Sequence, residues 1–451
     1  MRRTVHDQLQ LVPAIVEHGH AYELQAISDR LDQTPKAVEL VYADLTRFGA
    51  RTDTGREGMS AERVLRCTVA KQMNGWSYEE LAFHLGDSFS YRAFCRFGLG
   101  DEAPKRSTLK RNLKRVRADT WQSIHRVLLG QADDEGIEKG RKVRTDCTVE
   151  ETNIHEPSDS SLLWDGVRVL DRLMTQARER VAVPFTDHRR RAKRRAIGIQ
   201  SAATNAKRLP LYRDLLKVTG KTVGYAQTVA EALDHYQGSS VFDVVAAGAL
   251  AGELRRYVQL TEQVMDQTRR RVLDGDLVPA RDKLVSIFEP HTDIIVKDRR
   301  DTLFGHKLCL TGGASGLVLD CVVEDGNPAD STLAVRMVER HQQIYGQPPR
   351  QISFDGGFAS KANLADIKQL GVQDVCFSKG RSLTVPAMVK SSWVYRKLRR
   401  FRAGIEAGIS FLKRCFGLDR CTWKGLESFK SYTWASVVSH NLLVLARHTL
   451  R

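Results

Sequence analysis

Residues 142–149 read Lys142-Val143-Arg144-Thr145-Asp146-Cys147-Thr148-Val149, a short β-like run with an aspartate in its middle. Such a run predicts a strand. A charge inside a buried strand is costly unless it is paired or bound to a metal, so Asp146 hints at chemistry. A second run, Gln351-Ile352-Ser353-Phe354-Asp355-Gly356-Gly357-Phe358, predicts a strand that ends on an aspartate before a glycine pair.

Working outward, Phe304–Leu310 and Leu317–Val323 flank a glycine-rich turn, Thr311–Gly316, and predict a β-hairpin. Ser331–Ile344 predicts a helix with Asp330 or Ser331 as its cap. Lys361–Leu370 predicts a helix and Val375–Ser378 a strand. A basic stretch then leads into a long helix around Arg399–Phe416, and an apolar helix runs from about Ser428 to Arg447. Asp146, Asp355 and Glu406 therefore fall on strand, strand and helix, in that order. If the two strands are neighbours, their carboxylates can share a cation. Oxygen donors of this kind suit Mg²⁺. Two such ions would activate a water or a 3′-hydroxyl and stabilise the leaving oxygen in phosphoryl transfer. The bland reading of either aspartate is a loop cap at a strand end.

Residues from about 157 to about 277 read as almost wholly helical, with breaks near Pro184, Pro210 and Gly220. That span far exceeds the ~2–6 residues of an ordinary connection, so it must fold in its own right. It contains His188-Arg189-Arg190-Arg191-Ala192-Lys193-Arg194-Arg195. That tract is either a solvated patch or a contact to a phosphate backbone, and the overall charge favours the contact.

Upstream, Tyr22–Leu31 places Leu24, Ile27 and Leu31 on one helical face. Thr34 and Pro35 then open a helix carrying Val38, Val41, Tyr42 and Leu45. Two short helices across a tight turn suit a helix-turn-helix, although plain helical hairpins look the same. Residues 51–58 read as a linker. Ser77-Tyr78-Glu79-Glu80 is a capping box. Pro104–Leu109 starts a basic helix through Lys110, Arg111, Lys114 and Arg117, a second candidate phosphate-contacting face.

Composition agrees with a polyanionic partner. The 451 residues hold 70 Lys and Arg against 54 Asp and Glu, a formal charge of +16. A 42% hydrophobic and 27% charged share excludes collagen-like, fully disordered and membrane-spanning classes. The first residues carry no long apolar run, so no secretory signal is expected. Eight scattered cysteines without a CxxC pair fit the cytoplasm and lack the spacing of a zinc ribbon. His291 and His306 lack ligand spacing and read as structural. Glu289, Asp293 and Asp330 are competing carboxylates near strands; Asp330 is most simply a helix cap.

At this point the chain resembles the DDE-type transposases of bacterial insertion sequences, and the ISNCY-like group among them, over roughly residues 60–447. The resemblance rests on Gly75–Phe97 with Ser107-Thr108-Leu109, on Asp146–His155 with Pro157–Leu163, on Gly326-Asn327-Pro328-Ala329-Asp330, and on Asp355-Gly356-Gly357-Phe358. The family pattern around its third carboxylate is Tyr-x2-Arg-x3-Glu-x6-Lys. Arg402, Glu406 and Lys413 match it, and Arg399 stands where the family has Tyr. Arg402 and Glu406 are four apart and Lys413 seven further, so all three share a helix face.

The resemblance implies an α/β fold: an RNase H-like catalytic core with a long helical insertion, preceded by an all-α helix-turn-helix-type DNA-binding region. It divides the chain into 1–58, 59–138 and 139–451, with the insertion at about 157–277. It implies Asp146, Asp355 and Glu406 as catalytic metal ligands for two Mg²⁺ ions, with Mn²⁺ as a substitute. Arg402 and Lys413 would orient DNA, and Lys110, Arg111, Lys114, Arg189, Arg190, Arg191, Lys193, Arg194 and Arg195 would contact its backbone. The implied activity is cleavage at element ends followed by strand transfer, by a homodimer or higher oligomer on double-stranded DNA in the cytoplasm, with no membrane. The competing readings are a non-catalytic DNA-binding regulator or decayed transposase, and an RNase H-fold nuclease without strand transfer.

Overall fold

The computed structural model describes residues 3–5, 17–47, 58–98, 100–238, 240–297, 301–380 and 382–450. The linker expected at 51–58 lies, apart from Gly58, outside the described residues. The chain divides into two compact units. One joins Met1–Asn153 to His306–Arg451, and the other is Ile154–Gly305.

The first unit opens with α1 (Gly19–Asp32), α2 (Pro35–Thr46), α3 (Ala61–Met73), α4 (Tyr78–Asp87), α5 (Phe89–Phe94), α6 (Arg106–Leu113) and α7 (Ala118–Asp134). Leu24, Ile27 and Leu31 are buried together, as their spacing requires. The Ser77–Glu80 capping box is formed, with both reciprocal hydrogen bonds. Arg66, buried in α3, ties these helices together. Its guanidinium donates to Glu62 at 2.9 Å, to Asp32 at 2.6 Å and to Ser28 at 2.9 Å. The basic run expected to be one helix through Arg117 stops at Leu113. Asp44 of α2 accepts from the Arg117 amide at 2.8 Å and from the Thr120 hydroxyl at 2.6 Å. That carboxylate satisfies a fresh helix start, so α7 begins there.

Strand β1 (Lys142–Thr152) follows and is the centre of a mixed sheet. β5 (Gln351–Phe354) lies parallel to β1, and β6 (Asp374–Phe377) lies parallel to β5. β3 (Asp301–Gly312) flanks β1 on its other edge, and from His306 onward belongs to this unit, where β4 (Val318–Val323) pairs with it antiparallel. The short β7 (Arg420–Cys421) adds to the end of β1. Around the sheet stand α12 (Ala334–Tyr345), α13 (Lys361–Gln369), α14 (Val385–Met388), α15 (Ser392–Phe416) and α16 (Leu426–Thr449). α16 is buried nearly all round, with Ser431, Thr433, Ser436, Ser439, His440 and Asn441 inside as well as its apolar residues. The buried hydroxyls of Ser436 and Ser439 bond back to the Tyr432 and Ala435 carbonyls one turn earlier, and that of Ser431 donates to the Val116 carbonyl.

The second unit holds α8 (Asp159–Ala177), α9 (Arg189–Ser201), α10 (Asn205–Asp234) and α11 (Val241–Thr268) around a core that includes Leu163, Leu170, Leu215, Val229 and Leu254. Its last part is β2 (Asp293–Lys297), a strand the sequence pattern did not mark, which pairs antiparallel with residues 301–305 of β3. Two expected breaks are absent. Pro210 lies inside α10, where it is the sixth residue and removes only the bond to the Ala206 carbonyl. Gly220 also lies inside α10, and a Cβ there would come within 3.3 Å of the Met265 methyl, so it is a close-approach position. No helix among the described residues is long and apolar enough to cross a membrane.

Candidate active site

The register of two parallel strands brings the aspartates together. β1 pairs with β5 as Lys142 to Gln351, Val143 to Ile352, Arg144 to Ser353 and Thr145 to Phe354. One step further along each strand are Asp146 and Asp355. Paired parallel strands lie ~4.8 Å apart and alternate faces together, so both carboxylates leave the same face of the sheet. β6 continues the pattern. Phe354 pairs with Phe377, and the next residue, Ser378, donates its hydroxyl to Asp355 Oδ1 at 2.8 Å.

Helix α15 crosses that same face. The Ser353 hydroxyl donates to the Leu398 carbonyl at 3.1 Å, and Arg144 Nη1 donates to the Phe401 carbonyl at 2.8 Å. Gly404 permits the second contact, because a Cβ there would collide with the Arg144 guanidinium. So fixed, α15 aims Arg402 at the aspartates. Arg402 Nη1 lies 3.6 Å from Asp146 Oδ2 and 3.5 Å from Asp355 Oδ1, while Nη2 donates to Glu406 Oε1 at 2.6 Å. One guanidinium is therefore shared by all three carboxylates. Its side chain is 15% exposed, against 18% for Asp146, 44% for Asp355 and 60% for Glu406.

The two aspartates differ in acidity. Burial, with the charges of Asp355 and Asp330, pushes Asp146 up to about 6, against the Cys147 amide and Arg402. Burial also works against ionisation of Asp355. The Ser378 hydroxyl, the Gly356 amide, Arg402 and the Gly357 amide outweigh it and hold Asp355 below its ordinary value. A neighbouring pair in which one carboxylate resists ionisation calls for a cation between them. Arg402 meets part of that demand. Two hard oxygen donors, completed by water and phosphate oxygens, fit a divalent ion such as Mg²⁺. Glu406 is held beside the pair through Arg402, and among the described residues no group of three His, Cys, Asp or Glu side chains is gathered to hold a metal.

Asp330 was read as a helix cap and is not one. Residues Asp330–Thr332 form a separate turn, and α12 starts only at Ala334. The Asp330 carboxylate instead pairs with Lys307 of β3 at 2.5 Å and lies against Gly357, where a Cβ would approach its Oδ2 to 2.7 Å. The Asn363 amide donates to the Ser331 and Phe358 carbonyls at 2.7 and 2.8 Å, which docks the Asp330 turn on the turn after Asp355. The Gly326–Asp330 element carried the only sequence signal for this placement.

The other candidates lie elsewhere. Lys413 pairs with Asp419 at 3.4 Å. Lys110 and Arg111 are exposed on α6, and Lys114 lies 5.9 Å above the Trp423 ring. In the tract at the start of α9, Arg189 pairs with Asp171 and Asp187, and Arg191 and Arg195 both pair with Asp214. Arg190, Lys193 and Arg194 are exposed. His291 bonds to the Glu289 carboxylate at 2.9 Å, and buried His306 packs edge-on against Phe429 at 4.8 Å.

Residues 266–442 match the family described as a transposase DDE domain, and residues 15–115 match a family described as a transposase domain (DUF772). The first stretch contains Asp355, Glu406 and Asp330 but not Asp146, whose place beside Asp355 comes from strand register. No curated protein and no solved structure matches the chain.

Proposed function

We propose that this chain, which belongs to the DDE-type insertion-sequence transposases, cleaves DNA at the ends of its element and joins the freed 3′-hydroxyl to a target, with Asp146, Asp355 and Glu406 as the catalytic carboxylates. The observation that carries the reading is the single guanidinium of Arg402 held among these three side chains, which arrive from a strand, a strand end and a helix. The order β4-β3-β1-β5-β6, with the aspartates at the ends of adjacent parallel strands, supports an RNase H-like core. The helices before the sheet are the proposed reader of the element end.

Asp146 and Asp355 would hold Mg²⁺, and Glu406 would join them once Arg402 turns to a phosphate. Bound there, the metal would activate the attacking water or 3′-hydroxyl and neutralise the leaving oxygen. Asp355, kept ionised by Ser378 and the glycine amides, supplies the permanent negative charge. Asp146, whose ionisation burial opposes, would be held in its charged form once positive charge arrives. Arg402 bridges the carboxylates in the free protein and would take the phosphate beside the scissile bond.

The test uses the full chain, Mg²⁺ and a labelled duplex cut from the flank of its own gene. The wild type should nick the duplex and insert the cut end into a plasmid. Asp146→Asn, Asp355→Asn and Glu406→Gln should each abolish both products while duplex binding persists. Nicking without insertion would favour a nuclease. Binding with neither product would favour a regulator.

A further inference from the structure

The first three turns of α15 carry Arg396, Lys397, Arg399 and Arg400, all exposed, and none pairs with a carboxylate among the described residues. No acidic residue occupies the first turn of this helix. These four cations sit three and four residues apart on the helix, so they repel one another. Elsewhere in the chain, Arg191 and Arg195 find a partner in Asp214. The uncompensated charge on α15 therefore costs the free protein something.

The same charge continues onto β1. Lys142 Nζ stands 4.3 Å from the Phe401 ring centre and the Arg144 guanidinium 4.6 Å from the same ring. Lys397 Nζ stands 3.8 Å over Trp393, which is 57% exposed. Burial, and after it the charges of Lys397 and Arg144, lower the affinity of Lys142 for its proton. At 100° per residue, Lys397 and Phe401 lie on one flank of α15, Arg402 and Glu406 on the other, and Arg396, Arg399 and Arg400 cover the solvent side between them. Lys142, Arg144 and Asp146 follow one another on a single face of β1.

From this placement we propose that the solvent side of α15 and the first residues of β1 form a track for the phosphodiester backbone of a DNA duplex, leading across the helix to the catalytic carboxylates. The track rests on the transposase reading and adds to it a binding site outside the segments at 110–114 and 189–195. Its cations contact phosphates, so it recognises backbone and not base sequence. The exposed Trp393 ring and the half-buried Phe401 ring hold the lysine and arginine stems in place.

The experiment titrates the full chain with a random-sequence duplex and with a duplex from the flank of its gene, at several salt concentrations. The test variant carries Arg396→Gln, Arg399→Gln and Arg400→Gln. A second carries Lys142→Gln and Lys397→Gln. The control, of matched charge to the first, carries Lys36→Gln, Lys430→Gln and Arg447→Gln, all already ion-paired. Three lost phosphate contacts should flatten the salt slope by about 2.7, at ~0.9 each, and weaken binding at least ~10-fold at 0.1 M salt. A loss on both duplexes assigns the track to any DNA, target included. A loss confined to the gene-flank duplex assigns it to the element end. If both variants keep the slope of the control, the track is refuted while the transposase reading stands. If the wild type binds neither duplex, that reading itself fails.

Discussion

Arg402 Nη1 rests 3.6 Å from Asp146 Oδ2, so the less ionisable of the two aspartates has a guanidinium as its neighbour. This cation stands where positive charge is wanted and competes with any metal that would take its place. Arg402→Gln should therefore bind Mg²⁺ more tightly in the absence of DNA, by ~10-fold for one removed charge at this range. Cleavage should fall, because the phosphate loses its bidentate partner. Calorimetric Mg²⁺ titration with a parallel cleavage assay separates the two effects. Weaker Mg²⁺ binding in the variant would mean that Arg402 organises the carboxylates for metal and does not compete with it.

Asp146 also sets a pH dependence. Its proton is held up to about 6 in the folded chain, against an ordinary value of 3.8. Between those values the unfolded chain has released a proton that the fold retains, so stability falls as pH rises from about 4 to about 6 and is level above. Asp146→Asn cannot ionise. It should exceed the wild type by up to about 3 kcal/mol above pH 6, from two pH units at ~1.4 kcal/mol each, and match it below pH 4. Thermal unfolding at pH 4 and pH 8 measures this. An equal gain at both pH values would show that packing, not ionisation, is responsible.

How much of this site the sequence reveals depends on the range of the interactions that build it. Asp146 and Asp355 are legible because a carboxylate inside or ending an apolar strand is locally costly. Arg402 and Glu406 are legible because helical spacing puts them on one face. Asp330 is not, because a helix cap is the nearest local use for an aspartate before Ser331–Ile344; its actual partner, Lys307, lies on β3, brought there by the sheet. The fold is read unevenly for the same reason. The hairpin of β3 and β4 and the strand of Asp355 declare themselves through apolar runs around turn residues. The strand β2 is short and at a sheet edge, and its pairing with the start of β3 is a tertiary choice. In α9 the local pattern shows a run of cations. Only the packed helices reveal that Asp171, Asp187 and Asp214 neutralise half of it.

Glu150, four residues after Asp146 on the same strand, is wholly buried, and burial pushes its carboxyl well above the ordinary value, against the Thr433 hydroxyl and Lys413. The Thr433 hydroxyl bonds its Oε2 at 2.6 Å. A raised value in the fold means that stability is lost as pH climbs above the ordinary carboxylate range. Glu150→Gln keeps the shape and the Thr433 contact without the ionisable proton, so its melting temperature should rise at pH 8 and stay unchanged at pH 4. Thr433→Val strips the partner and should cost ~1–3 kcal/mol. Stabilisation by the valine would show that the hydrogen bond contributes nothing there.

The tract at 189–195 should behave as two sets of residues and not as one. Arg189, Arg191 and Arg195 spend their charge on Asp171, Asp187 and Asp214. Arg190, Lys193 and Arg194 are exposed with no carboxylate partner among the described residues, and so keep theirs for a phosphate backbone. Replacing Arg190, Lys193 and Arg194 with Gln should flatten the salt dependence of DNA binding by about 2.7, at ~0.9 per phosphate, and leave the melting temperature near that of the wild type. Replacing Arg189 with Gln strands Asp171, which is 1% exposed, and should lower stability with little change in salt slope. Binding titrations at several salt concentrations, paired with thermal unfolding of each variant, read both quantities. If the first set leaves the slope unchanged, this end of α9 is a solvated surface; if Arg189→Gln flattens it, the Arg189 ion pairs open on DNA.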